Sequence, residues 1–485
     1  MAANQTPAIW WIRRDLRLDD NQALQRALEL SPKVYPVYVI DPALIHSPRM
    51  AEERVAFLYA GVRTLREKIK RRGGQLVIRS GLPGEILPRL STRIGARVIV
   101  AERDFTPYAR KRDRAVAEQV ELILTPGLTI AHPDEIEKNA GGPYQVYTYY
   151  QKKWKAKFLA REISSRVELP EEPFPAGGYP PSERLPGLEA DHPSTWAAGE
   201  DAARETLDTF VSGQDAPIFR YQENRDRPDR EGTSRLSPYL HLGMVSIREA
   251  VAAAREALAR APDQLSLQSA ETWLDELIWR DFYTAILYHF PRVLGDSFRE
   301  EYRDLPWRND REEFQRWKEG ETGYPLVDAG MRQLRQQGWM HNRLRMVTGS
   351  FLVKDLLIDW RWGEDWFMKN LLDADLAANN GGWQWVAGTG TDAAPYFRIF
   401  NPTSQAEKHD PEGGFIRRYL PELRSVPDEY IHAPWEMPED LQGEVGCVIG
   451  KEYPRPVVDH AQARERTLEA YKLTRAEYSE MQEES

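Results

Sequence analysis

The sequence predicts an N-terminal α/β domain of Rossmann-like type with a parallel sheet, then a long linker, then an all-α C-terminal domain. Three observations carry this. Over the first 130 residues, short runs of β-branched and aromatic residues alternate with helical patterns, as parallel strands joined by crossover helices require. Proline and scattered glycine crowd LPEEPFPAGGYPPSERLPG within residues 165–200, which marks an irregular connector. Beyond about residue 200 the periodicity is helical, and no strand pattern of similar strength appears. The boundaries read as 1–130, 131–204 and 205–485, and 485 residues suffice for two or three domains.

Taken in order, short buried strands are expected at 8–12, 34–40, 75–79, 97–101 and 121–124. A helix from Ala51 to Arg71 is one of those between them. Ligands of such sheets sit beyond the carboxyl ends of strands, so IDP at 40–42 and AERDFTPYARKRD at 101–113 are candidate ligand loops. No GxGxxG follows the first strand; RRDLRLDDNQAL stands there, which argues against a dinucleotide site in this domain. GTGTDA at 388–393 follows no expected strand and reads as a loop. Ser246 and Glu249 have the spacing of a capping box and open a helix through VAAAREALARA. Further helices fit 266–289, 311–319, 325–337, 341–359 and 364–371, and no internal repeat is visible.

A net charge of −10 argues against a protein coated in positive charge for nucleic acid, while leaving room for a local basic patch. The single cysteine, Cys447, excludes an internal disulfide and a multi-cysteine metal site, and the nine histidines form no HExxH. No metal site is expected. No apolar run is long enough to span a bilayer, and the first residues lack a basic stretch followed by a long apolar core. A cytoplasmic protein that does not engage membranes is the expectation. Fifteen tryptophans, many beside charged residues in the second half, exceed what packing alone would favour.

Two stretches concentrate chemistry. Glu276, Trp279, Arg280 and Tyr283 are spaced to share one helical face, with Leu274, Leu277 and Ile278 largely on another. Trp and Tyr together tilt that face toward a cavity wall rather than a solvated surface. Asn342 and Met346, four apart, can likewise face one site. The run DADLAANNGGWQW, Asp373 to Trp385, packs two carboxylates, two asparagines, two glycines and two tryptophans together. Gly381 and Gly382 allow a sharp turn or close approach to a flat ligand. Asn379 and Asn380 can read a heteroaromatic edge, and the indoles can stack. A polar turn before a core tryptophan has about equal weight on residue types alone.

The order of residues shifts that balance. YQENRDRPDREGTSRLSPYLHLG (221–243), ETWLDELIWRDFY (271–283), GWMHNRLRMVTGSFL (338–352), DADLAANNGGWQW (373–385) and FRIFNP (397–402), with RRDLRLDDN (13–21), resemble the class I group of the photolyase/cryptochrome family. The resemblance covers nearly the whole chain. It implies an N-terminal antenna domain and a helical domain that binds FAD, active as reduced FADH⁻, and DNA. Residues similar to the family's flavin contacts are Tyr221, Thr233, Ser234, Arg235, Leu236, Ser237, Trp273, Arg345, Asp373, Asp375 and Asn379. Asn379 resembles the asparagine facing flavin N5, where an amide serves a reduced N5–H without adding charge. Trp307, Trp360 and Trp383 look like the family's electron-carrying tryptophans.

The resemblance also implies a substrate. Asn342 and Met346 stand where (6-4) photolyases hold two histidines. Neither side chain can move a proton to a modified base, so cyclobutane pyrimidine dimers in DNA are the expected lesion. Glu276 resembles the acid that hydrogen-bonds the dimer; a dry pocket would raise its pKa, and the protonated form would stabilise charge on a pyrimidine carbonyl. The implied reaction is light-driven donation of one electron from FADH⁻ to the dimer, ring splitting and return of the electron. The lesion must first leave the stack. Trp279 and Trp385 are candidates to sandwich it, Tyr283 lines the same face, and Arg225, Arg280, Arg343 and Arg398 are candidate phosphate contacts. For the antenna, MAEERVAFL (50–58) and 101–113 look more like the deazaflavin-binding subgroup, with Arg54, Asp104 and Arg112 as contacts. An 8-hydroxy-deazaflavin is thus favoured over methenyltetrahydrofolate or FMN, although His241 stands where that subgroup can carry a lysine. A monomer is expected. The rival reading is a cryptochrome-type blue-light receptor without repair; only a short acidic tail follows the core, and Asn379 is not replaced by Asp or Cys.

Overall fold

A computed structural model describes residues 6–161, 169–184, 186–189 and 196–483, so the expected linker lies partly outside the described residues. The chain packs as two compact units: residues 1–221, 234–291 and 372–377 form one, and residues 222–233, 292–371 and 378–485 form the other.

The first unit is built on a five-stranded, wholly parallel sheet of order β3-β2-β1-β4-β5, with β1 Ala8–Ile12, β2 Val34–Ile40, β3 Val77–Ser80, β4 Val98–Glu102 and β5 Glu121–Thr125. All five strands expected from the sequence are present. Both faces are covered, which is why the strand runs are apolar rather than alternating. Trp10 and Ile12 enter one core while Ile9 and Trp11 enter the core on the opposite face. The crossover helices have ordinary causes. Asn21 caps Gln22–Leu30 by accepting from the Leu24 N–H at 2.9 Å, and Thr106 caps Pro107–Ala117. Strand order reverses between β1 and β4, where open α/β sheets form their ligand crevice.

Helices complete this unit. Ser246 caps Ile247–Arg260, but the expected box does not close: the Glu249 carboxylate instead takes the Arg204 Nε–H at 3.0 Å. The helix Gln264–His289 buries Leu274, Leu277 and Ile278 as its wheel requires. Tyr147–Phe158, not foreseen, packs along it through Tyr147, Tyr150 and Trp154. At Gly243, φ is +63°, and a Cβ would stand 1.9 Å from the Arg14 carbonyl oxygen. Only glycine allows that approach of the segment after β1.

The second unit is helical, as expected. Arg311–Glu319 and Pro325–Gln337 match the sequence reading. The single helix expected over 341–359 is instead Asn342–Ser350 followed by a π turn, Phe351–Asp355, and Leu357 has φ +52°. The next helix begins at Trp360, capped by Asp359, rather than at 364. The long helix His460–Glu483 packs Ala470 and Tyr471 against Tyr302 and Leu357. Lys354 is fully buried under it. Its amine, pushed well below the ordinary value by burial, donates to the Ala387 carbonyl at 2.8 Å and lies 3.6 Å from the Tyr471 ring centre. Among the described residues no helix is long and apolar enough to cross a membrane, and no cluster could hold a metal ion.

Candidate functional site

The segment singled out in the sequence is a short loop followed by a helix, Leu376–Ala387. Gly381 and Gly382 are therefore mid-helix and do not make the turn expected of them. The room beside Gly382 is open: a Cβ at this position would meet nothing within 4 Å. Asp375 caps the helix by accepting from the Ala377 N–H at 3.1 Å.

In the first unit, Asp375 is one member of a buried charge cluster. Arg14, at the switch-point end of β1, pairs with it at 2.7 Å and with Asp104 at 3.6 Å. Burial alone would raise the Asp375 carboxyl, but Arg14 and Arg280 hold it well below the usual carboxylate range. His241 sits in the same cluster. Burial, then Arg14, push its imidazole well below its ordinary value, so the neutral Nδ1 faces the Arg14 guanidinium at 3.2 Å. The Arg280 guanidinium turns inward, donates to the Leu128 carbonyl and lines a small cavity with Arg14 and Arg17. That orientation differs from the solvent-facing one its expected phosphate contact would need.

The three antenna candidates border the same charge cluster: Asp104 pairs with Arg14, and both Arg14 and Arg54 act on His241. Asp104 and Arg112 are electrostatic neighbours, and Arg112 and Arg13 lie on the Trp11 ring at 4.9 and 4.6 Å. Arg54 also faces Asp373: burial lowers its guanidinium to about 10, and Asp373 opposes that.

Nearby, the chain turns at Arg235 with φ +50° before the short helix Ser237–Leu242. Trp273 donates its Nε1–H to Ser234 Oγ at 3.3 Å and packs on Phe210, which also meets Tyr221. Arg235 lies 4.9 Å from the Trp196 ring centre. Trp279 has one face taken: Tyr147 stacks on it at 3.6 Å and 8°, and Phe282 and Tyr283 meet its flank. A second ring could stack only on the face opposite Tyr147. Tyr147 lies outside every motif block, so nothing in the residue order marks it for this role.

In the second unit, Asn379 Nδ2 donates to the Glu364 carbonyl at 3.0 Å. This fixes the amide and leaves Oδ1 as its acceptor. Asn380 and Gln384 both donate to the Val293 carbonyl at 2.9 Å, so Asn380 is structural. Asn342 is exposed at the start of its helix, and Met346 is half-buried one turn on. His341 caps that helix by accepting from the Arg343 N–H at 3.2 Å; burial lowers its pKa to about 4. Arg343, a candidate phosphate contact, is paired with Asp226 at 2.7 and 3.2 Å. Arg345 donates Nε–H to the Met340 carbonyl at 2.9 Å. Trp385 is half-buried, while Arg398 is exposed beside Phe397, itself 62% exposed.

The three expected electron carriers sit on elements tied to one another. Trp383 packs on Gly363 of the helix that Trp360 begins. The Trp307 segment joins that helix start through Arg308 N–H to the Leu357 carbonyl at 2.8 Å and Asp359 N–H to Asn309 Oδ1 at 2.9 Å. Trp383 and Trp360 are buried and Trp307 is half-exposed. Nε1 of both buried indoles has no hydrogen-bond acceptor among the described residues.

Residues 8–176 match the DNA photolyase family, and residues 273–473 match the FAD binding domain of DNA photolyase. A deoxyribodipyrimidine photo-lyase of Agrobacterium fabrum is 38% identical over 97% of this chain and 98% of its own. The crystal structure of a bacterial class III photolyase from Agrobacterium tumefaciens superposes with a TM-score of 0.89 at 37% identity, covering 98% of this chain and 99% of that one. A Synechocystis cryptochrome superposes with a TM-score of 0.86 at 30% identity, covering 96% and 99%.

Proposed function

This chain belongs to the DNA photolyase family, and from that membership we propose that it is a deoxyribodipyrimidine photolyase, which uses blue light and reduced FAD to split cyclobutane pyrimidine dimers in DNA. The observation that carries the reading is the placement of three indoles, buried at Trp383 and Trp360 and half-exposed at Trp307, on elements linked by the Arg308 N–H to Leu357 carbonyl and Asp359 N–H to Asn309 Oδ1 bonds and by the packing of Trp383 on Gly363. Trp383 shares a helix with Asn379.

The residues present fit a reduced flavin. Asn379 Oδ1, left as an acceptor by the Glu364 contact, suits an N–H and adds no charge. The Thr233–Ser237 turn offers hydroxyls and backbone N–H groups for a diphosphate, with Arg235 supplying charge. Tyr221, Leu236, Trp273, Arg345, Asp373 and Asp375 complete the set that would hold FAD. When bound, reduced FAD supplies the photoexcited electron that the dimer accepts. Glu276, half-buried on the Gln264–His289 helix, is the acid that would hydrogen-bond the dimer and stabilise the charge arriving there. Asn342 and Met346 shape the dimer pocket without moving protons. Trp279, on its open face, and Trp385 stack the extruded bases. Arg225 and Arg398 take phosphates. Trp307, Trp360 and Trp383 carry electrons inward from solvent.

For a second chromophore, 8-hydroxy-deazaflavin remains the ligand of choice over methenyltetrahydrofolate or FMN, with Arg54, Asp104 and Arg112 as its proposed contacts. Class I membership rests on the five sequence blocks, whereas the superposed Agrobacterium tumefaciens structure is that of a class III photolyase. The likeness to the Synechocystis protein favours a second reading, a blue-light receptor without repair. One experiment separates them: reduced protein is incubated with a dimer-containing oligonucleotide in blue light and in darkness. Thymines restored only in light support repair. None restored in either leaves the receptor reading.

A further inference from the structure

The helix Tyr147–Phe158 lies along Gln264–His289 and is fastened to it at several levels. Lys155 pairs with Glu271 at 2.8 Å and with Asp275 at 2.6 Å. Trp154 donates its Nε1–H to Asp281 at 3.0 Å, and the same carboxylate oxygen accepts the Ile130 and Ala131 backbone N–H groups at 3.1 Å. Tyr150 packs on Phe282. These contacts hold Tyr147, at the head of the shorter helix, flat against Trp279, with ring centres 3.6 Å apart and planes 8° from parallel. Its hydroxyl donates to the Asp275 carbonyl at 2.7 Å. Asp275 stands four residues before Trp279, so in an α-helix this is the carbonyl that the Trp279 backbone N–H also serves. One buried residue thus holds both the turn that carries the indole and the plane of the indole.

Packing preference does not explain this geometry. Aromatic pairs favour offset or edge-to-face arrangements over a face-to-face sandwich. The other rings around Trp279 follow that rule: Phe282 meets it edge-on at 79° and Tyr283 is tilted at 33°. Tyr147 is the exception, kept in place by its hydroxyl and by the contacts further along its helix. The indole itself is half-buried, and a side chain of that kind surrenders rotational freedom when a ligand stacks on it. A ring fixed behind it removes that freedom beforehand. We propose that Tyr147 is a positioning residue for lesion recognition: it sets the Trp279 plane from behind, so that the indole meets the extruded dimer already oriented. This rests on the repair reading above. Undamaged DNA keeps its bases in the stack and gains nothing from the alignment, so the benefit falls on the lesion alone.

The test is a double-mutant cycle between Tyr147→Leu and Trp279→Ala, read as affinity for a dimer-containing oligonucleotide and for its undamaged counterpart. Tyr147→Leu should weaken binding of the dimer by roughly two- to tenfold, the worth of an aromatic pair, and leave binding of undamaged DNA as it was. Tyr147→Phe keeps the ring and should restore most of the loss. In a Trp279→Ala protein, Tyr147→Leu should cost nothing further, because the indole it positions is gone. If Tyr147→Leu does not fold, Tyr147→Met, whose flexible side chain fills gaps, takes its place in the same cycle. Equal losses on damaged and undamaged DNA, or the same loss with and without the Trp279 indole, would mark Tyr147 as a packing residue and overturn the proposal; so would a dimer affinity equal to the parent's. Failure of the parent to restore thymines in light would refute the function itself, whereas a repairing parent with no coupling between the two residues sinks only the positioning role.

Discussion

Gly363→Ala is a one-methyl change that reads the packing of the inner tryptophan. A Cβ at this position would stand 2.1 Å from Cη2 and 2.4 Å from Cζ3 of Trp383. Carbon atoms prefer about 3.5–4.0 Å, so the indole would have to retreat by roughly 1.5 Å. It has little room. Trp383 is 3% exposed, with the Phe367 ring centre 4.9 Å and the Trp317 ring centre 6.1 Å away. Gly349 also brings backbone close: a Cβ there would lie 3.6 Å from the same ring. Overpacking of this kind costs about 1–3 kcal/mol. Alanine gains about 1 kcal/mol over glycine in a helix interior. The clash is at the upper end of the range, so a net loss of about 1–2 kcal/mol is expected. Urea unfolding measures it, and slower flavin photoreduction should accompany the displaced ring. Gly382→Ala, also mid-helix but facing open space, should instead raise apoprotein stability by about 0.5–1 kcal/mol. A Gly363→Ala protein as stable as its parent and photoreduced as fast would refute the packing argument and the place of Trp383 among the electron carriers.

Burial lowers His341 to about 4 from 6.5, against the attraction of Asp226 and with Arg343, Arg345 and His409 facing it. The unfolded chain therefore takes up this proton first as pH falls. The histidine's contribution is fully present above 6.5 and is lost between 6.5 and 4, by about 2 kcal/mol at pH 5. His341→Asn keeps a capping oxygen but removes the titration, so its melting temperature should depend less on pH between about 7 and 5; a parallel profile would contradict this. Trp307→Phe should block flavin photoreduction while sparing repair by chemically reduced enzyme, as followed by absorption; photoreduction equal to the parent's would count against its place among the electron carriers. Glu276→Ala should lower repair yield per photon more than it lowers affinity for the dimer, and an unchanged yield would remove its role.

Periodicity made much of this fold legible. The five strands and the long helix Gln264–His289 stand out because each buries a continuous run or stripe of its own residues. Where local pattern and tertiary demand diverge, the sequence is less informative. The stretch 341–359 is apolar enough for one helix, yet it widens into a π turn at Phe351–Asp355, within which Lys354 donates to the Ala387 carbonyl. Glycines at 381 and 382 suggest a turn, but both lie within Leu376–Ala387, a helix capped by Asp375. Glu249 has the spacing to close a capping box and is captured by Arg204, a partner 45 residues away.

Residue order alone points to a candidate flavin-contact segment, three candidate electron-carrying tryptophans and a candidate lesion-facing acid, because each lies in a short contiguous stretch of specific wording or stands at a recognisable distance from one. It could not say which charges meet. That Arg14 bridges Asp104 and Asp375, that Arg280 turns toward the Leu128 carbonyl, that Arg54 faces Asp373, and that Tyr147 covers a face of Trp279 are facts of tertiary packing. Those pairs are separated by up to 361 positions in the chain. Ionic and stacking contacts depend on distance in space, and distance in space between remote segments exists only once the backbone has folded.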